Sequence, residues 1–211
     1  MTELVFILDR SGSMAGLERD TIGGFNAMLQ KQRALEEKTL VSTVLFDNHC
    51  EVVHDRVPLE KVSELTAEVY YARGSTALLD AVGGAIRHIS NIHRYVRPED
   101  VPERTLFVIT TDGMENASHR YDYRQVREMI ERQKSRHGWE FLFLGANIDA
   151  AAEAARFGID EDRAVRYKCD SEGTQLNYMV LNETIRRVRC SQPLDGSWKK
   201  KINEDFRKRG R

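Results

Sequence analysis

The sequence predicts an α/β domain: a three-layer, doubly wound and mostly parallel sheet with helices on both faces. Three observations lead there. Short runs of Val, Ile, Leu and Phe with little polar alternation recur along the chain, as in strands buried on both faces. Longer stretches of helical period lie between them, which is how parallel strands are connected. One apolar run follows its predecessor after a turn too short for a crossover, so one edge strand is expected to run antiparallel.

The elements follow in order. Leu4–Leu8 is the first strand, and it closes on Asp9. Ile22, Phe25, Met28, Leu29 and Leu35 recur at helical spacing, and Thr39–Phe46 is the second strand. The tripeptide Asp47-Asn48-His49 reads as a tight turn from which Cys50–Val57 returns antiparallel. Leu78, Val82, Ile86, Ile89 and Ile92 form a second helical stripe. The Gly83-Gly84 pair within it costs helix stability and is expected to mark close packing on the sheet. Thr105–Thr110 and Glu140–Leu144 are further buried strands. Between them Asp122-x-x-Gln125 reads as a capping box that opens a helix with Tyr123, Val126 and Ile130 on one face. Arg163–Tyr167 is a short last strand, and Ser171 is expected to cap a last long helix through Leu176, Val180 and Val188.

The 211 residues suffice for one substantial core, and 31% charged with 41% hydrophobic residues describes an ordinary globular protein. The net charge of −1 gives no reason to expect a nucleic-acid partner, but it is unevenly placed. Lys199 to Arg211 carries +5, leaving −6 on the rest. The domain is therefore drawn as residues 1–190, followed by a basic tail, 191–211, expected to be solvated and poorly ordered; Trp198 and Phe206 within it have no assigned place. Cys50, Cys169 and Cys190 are widely spaced and form no CxxC, which suits packing thiols in a reducing compartment. The six histidines show no ligand spacing and read as surface or edge residues. No signal-like stretch opens the sequence and no run reaches the length of a membrane span, so a cytoplasmic location is expected.

In doubly wound sheets the ligand site lies beyond the carboxyl ends of the strands, where strand order reverses. Three polar clusters fall at or near that edge: Asp9, Ser11 and Ser13 after the first strand; Gly74, Ser75 and Thr76 just before a helix; and Thr110, Thr111 and Asp112 closing a later strand. Two carboxylates and three hydroxyls, all oxygen, suit a hard divalent ion, Mg²⁺ or Mn²⁺ first and Ca²⁺ less well, rather than zinc or copper.

Together these residues resemble the metal-ion-dependent adhesion site of von Willebrand factor type A (VWA) domains, whose pattern is a strand ending in Asp-x-Ser-x-Ser, a distant Thr and a later strand ending in Thr-Asp-Gly. Asp9, Ser11, Ser13, Thr76 and Asp112 fill all five positions, and the resemblance covers roughly residues 1–190. It implies a six-stranded sheet with a metal at its top. Ser11, Ser13 and Thr76 would contact the ion, and Asp9 and Asp112 would bind directly or through water. It also implies a partner protein whose Glu or Asp completes the coordination. Glu115 and Asn116 are expected at the rim or as turn residues, and Asn147 and Asp149 at the same sheet edge, with Asp149 a helix cap.

The competing class is a Mg²⁺-dependent, phosphatase-like hydrolase with Asp9 as nucleophile. Such sites typically carry a second Asp two residues on as general acid/base. Ser11 stands there instead and cannot do acid/base work at neutral pH. Neither a G-x-S-x-G elbow nor a P-loop is present. A binding module without catalytic residues is the expectation.

Overall fold

A computed structural model describes residues 1–209; the end of the basic tail, Gly210 and Arg211, lies outside them. Six strands form one sheet: β1 (Thr2–Asp9), β2 (Thr39–Phe46), β3 (Cys50–Pro58), β4 (Arg104–Thr111), β5 (Glu140–Ala146) and β6 (Ala164–Tyr167). Their order is β3-β2-β1-β4-β5-β6. Every neighbouring pair is parallel except β2 and β3, which pair antiparallel with register shifts between Val41 and Val44. The expected sheet and its antiparallel edge are both present.

The period-2 geometry of a strand sorts the apolar runs to two faces. From β1, Leu4, Phe6 and Leu8 join a core with Phe25, Met28 and Leu29 of α1 (Glu18–Gln32) and with Val180, Leu181 and Ile185 of α5 (Ser171–Arg189). Phe6 meets Phe25 edge-on with centroids 5.2 Å apart, an aromatic contact that adds about 1 kcal/mol beyond the area it buries. Val5 and Ile7 point the other way, into a core with Leu78, Val82, Ile86 and Ile89 of α2 (Leu78–Tyr95), Val126 and Ile130 of α3 (Tyr123–His137) and Ala154 of α4 (Ala150–Arg156). β1 thus has side chains sealed on both sides, which is why its sequence lacks alternation.

The local signals are mostly met. Asp122 accepts from Gln125 N while Gln125 accepts from Asp122 N, the reciprocal capping box. Asp149 caps α4 through Ala152 N at 3.0 Å, although α4 itself, seven residues long, has too short a pattern to be read. Three expectations are corrected. The cap of α5 is Asp170, accepting from Gly173 N at 2.8 Å; Ser171 is the first helical residue and donates to Asp20. Gly83 makes room for the ring of Tyr121, which a Cβ would meet at 2.6 Å, and not for the sheet; Gly84 faces nothing within 4 Å. The tail is not a solvated terminus within the described residues. Lys200–Arg209 forms a helix, α6, with Trp198 and Ile202 buried in the core on the α1–α5 face. The segment leading into α6 bonds to the β6 side of the sheet: Trp198 Nε1 donates to Asp162 O at 2.8 Å, and Lys199 Nζ donates to Ala164 O at 2.9 Å.

Candidate metal centre

The strand order reverses between β1 and β4, the neighbours from which crossovers run to opposite sides, and both end on an aspartate or immediately before one. Parallel register sets Leu8 of β1 against Thr110 of β4, so Asp9 lies beside Thr111 and close to Asp112. Asp9 Oδ1 accepts from Ser11 N at 2.7 Å, a tight turn that brings Ser11 and Ser13 back over the strand end. Asp9 Oδ2 accepts from Thr111 Oγ1 at 2.6 Å. The Ser11 and Ser13 hydroxyls are 3.1 Å apart, and Ser13 Oγ donates to Asp112 Oδ1 at 2.5 Å.

Thr76 comes to the same spot from the loop before α2. The ideal position of a Cβ on Gly113 would lie 3.3 Å from Thr76 Oγ1 and 3.6 Å from Ser13 Oγ, so the two hydroxyls line one small hollow that the glycine leaves open. Asn116 clamps Thr76 from both sides, accepting from Thr76 N at 2.9 Å and donating its own N–H to Thr76 O at 3.1 Å. Glu115 is a cap and not a rim residue: it accepts from Leu79 N in the first turn of α2 and from Ala117 and Ser118 N. Gly74, at φ +68°, permits the turn that carries Thr76 inward; a side chain there would strike Asn48.

A second layer fixes these loops. Tyr70 Oη donates to Asp9 O at 2.5 Å. Arg10 is buried and turns away from the cup, its guanidinium reaching Asp47 Oδ2 at 2.9 Å and Val69 O at 3.1 Å. Arg73 reaches the same Asp47 oxygen at 2.7 Å. Burial pushes the Asp47 carboxyl up, but Arg73, the His49 N–H and Arg10 outweigh it, so its pKa lies below the ordinary value.

The cup itself has no such cation. Among the described residues neither Asp9 nor Asp112 pairs with Lys, Arg or His, and both are almost wholly buried. Burial raises Asp9 from 3.8 to about 6, against the hydrogen bonds from Thr111 and Ser11, with the Asp112 charge adding to the rise. Asp112 is raised as well, by burial first. Two desolvated carboxylates facing each other call for positive charge from outside. Ser13 is exposed and marks the open side. Among the described residues no three His, Cys, Asp or Glu side chains gather where they could hold an ion, so the cup depends on its hydroxyls as much as on its carboxylates. The donor set and the hollow at Gly113 fit a hard divalent cation.

Cys169, read as a packing thiol, does pack against the core on the α1–α5 face, and it also stands at this site: its Sγ donates to Asp112 Oδ2 at 3.6 Å. Burial, then the Asp112 charge, pushes the thiol up to about 11, which keeps it a protonated donor. Cys50 and Cys190 are exposed. Asn147, on the neighbouring β5 loop, holds a positive φ of 55°.

The sequence matches no protein-family model and no curated protein. Solved structures do match. The vWF domain of the type V pili tip protein Mfa5 from Porphyromonas gingivalis is 10% identical with a TM-score of 0.61, over 88% of this chain and 95% of that one. Proximal thread matrix protein 1 from the mussel byssus, with a zinc-occupied MIDAS motif, is 13% identical with a TM-score of 0.57, over 86% of this chain and 45% of that one. The ArnB paralog VWA2 from Sulfolobus acidocaldarius is 18% identical with a TM-score of 0.53, over 87% and 44%. The fold is that of a VWA domain. The chain spans less than half the length of the byssus and archaeal proteins it matches.

Proposed function

We propose that the chain is a metal-dependent protein-interaction module, with Asp9, Ser11, Ser13, Thr76 and Asp112 holding Mg²⁺ or Mn²⁺. The observation that carries this reading is the pair of buried carboxylates with three hydroxyls beside them and, among the described residues, no protein cation paired with them. The ion would supply the positive charge through which an acidic residue of a partner protein is held. The chain's own residues shape that encounter. Thr111 and Ser11 orient Asp9, Cys169 and Ser13 orient Asp112, and Asn116 holds Thr76 in place. Met114, 68% exposed, and Tyr71, 42% exposed, stand on the loops after β4 and before α2, an apolar rim able to add specificity that a lone carboxylate lacks.

Binding rather than hydrolysis is favoured because Ser11 stands where a general acid is needed. The test is calorimetric titration of metal-free protein with Mg²⁺ and Mn²⁺. One ion should bind to the parent and none to Asp112→Ala. Binding to that variant as to the parent would refute the assignment.

A further inference from the structure

The two sides of the cup differ in charge. Toward β2, Arg10 and Arg73 are both spent on Asp47. Toward β6, Arg166 in the strand and Lys168 just past its end make no ion pair and no side-chain hydrogen bond among the described residues. Exposed bases by themselves are ordinary solvated surface, and three observations set these two apart. The first is that they are held. The half-buried Phe206 ring of α6 has the Arg166 guanidinium 4.8 Å and the Lys168 ammonium 4.9 Å from its centroid, so two like charges are gathered on one ring. The second is that no acid among the described residues pairs with either. Asp170 feels the Lys168 charge, but its carboxylate caps α5 and meets Arg209 at 2.5 Å. The third is position. Thr111 of β4 pairs with Gly145 of β5, and Gly145 pairs with Arg166. One register line therefore runs from the cup wall to the Phe206 ring across two strand spacings, about 10 Å. Cys169, next after Lys168, reaches Asp112 at 3.6 Å, so the loop after β6 leans toward the cup.

We propose that the cup's partner is a peptide segment with two acidic residues, one completing the metal and the second, about three residues away, held by Arg166 and Lys168. This rests on the metal reading above and adds the partner's pattern to it. An extended chain advances about 3.3 Å per residue, so three residues cover the length of the register line. A carboxylate at the ring offsets the repulsion between the two cations. The guanidinium offers it a planar fork of donors and the ammonium a point charge. A single acid would satisfy the metal and leave both charges on Phe206 unanswered.

The test uses the full chain, in excess over Mn²⁺, and the peptide acetyl-Gly-Glu-Gly-Gly-Glu-Gly-amide, with the two peptides in which one Glu is replaced by Gln. Broadening of the glutamate side-chain protons by the bound Mn²⁺ reports peptide binding by NMR. The two-acid peptide should bind about tenfold tighter than either one-acid peptide: about twofold because either Glu can take the metal, and about fivefold from the second contact. Combining Arg166→Gln with Lys168→Gln should leave only the statistical advantage of about twofold, with Mn²⁺ affinity unchanged. Raising NaCl to about 0.5 M should do the same to the parent. Mn²⁺ binding with an advantage of only about twofold in the parent, with an advantage that survives in the double variant, or with no broadening of any peptide would overturn this proposal and leave the metal assignment standing. Failure of the parent to bind Mn²⁺ at all would overturn both.

Discussion

Replacing Asp9 by Asn should stabilise the metal-free protein while abolishing its cation binding. Asp9 rises from 3.8 to about 6 in the folded chain, roughly 2 units, and each unit corresponds to about 1.4 kcal/mol. The sign follows from proton uptake. Between about pH 4 and pH 6 the folded state keeps the proton that the unfolded state has lost, so stability falls as pH rises through that window. Above it both states are ionised and the full cost, on the order of 3 kcal/mol, is present. Below it the cost vanishes. An Asn carries no charge at any pH and keeps the local bonding: its oxygen can accept from Ser11 N, and its amide can donate to Thr111 Oγ1, whose proton turns to Gly113 O at 3.1 Å. Urea denaturation in EDTA should therefore show Asp9→Asn more stable than the parent at about pH 7.5, by up to roughly 3 kcal/mol, and nearly equal to it at about pH 4. Adding Mg²⁺ at the higher pH should raise the parent's midpoint and leave the variant's unmoved. A variant less stable than the parent in EDTA at the higher pH, or an advantage that does not shrink on acidification, would show that the Asp9 charge is not strained by burial.

Gly113→Ala places a methyl within 3.3 Å of Thr76 Oγ1 and should weaken Mg²⁺ binding roughly ten- to a hundredfold by calorimetry, with little change in thermal stability. The paired glycines of α2 should respond in opposite directions. Gly84→Ala gains up to about 1 kcal/mol of helix propensity, while Gly83→Ala, driven into the Tyr121 ring, loses stability; urea midpoints separate them. Trp198→Ala should cost about 3 kcal/mol in denaturation and leave Mg²⁺ affinity unchanged, since its indole docks on Asp162 and not on the cup.

The sheet was legible because β1, β4 and β5 are sealed on both faces and read as unbroken apolar runs, while the short Asp47–His49 turn admits only an antiparallel return. The five oxygen residues were legible for a related reason: each sits at an element boundary, where a polar residue interrupts the pattern. What escaped depends on contacts between distant segments. Cys169 lies 57 positions from Asp112 in sequence, and nothing around it marks its approach. The tail's charge suggested solvation, yet Trp198 and Ile202 decide its fate by burial, with Lys199 spent on carbonyls and Lys201 and Arg209 paired with carboxylates. The Gly83 contact was misplaced because its partner, Tyr121, belongs to a loop whose path no periodicity describes.

The dressing of the two outer strands bears on how another protein can approach. At β6, Lys199 takes up a strand carbonyl with its ammonium, so an incoming strand would find that acceptor occupied. At β3, the shifted register, the left-handed Arg56 at φ 50°, and the charges of Glu51 and Asp55 spoil the flat template that strand addition requires. Neither margin of the sheet invites a seventh strand, from a partner or from another copy of the chain. Association is thereby steered to side chains on loops and helix ends, and the same dressing guards the chain against edge-to-edge aggregation.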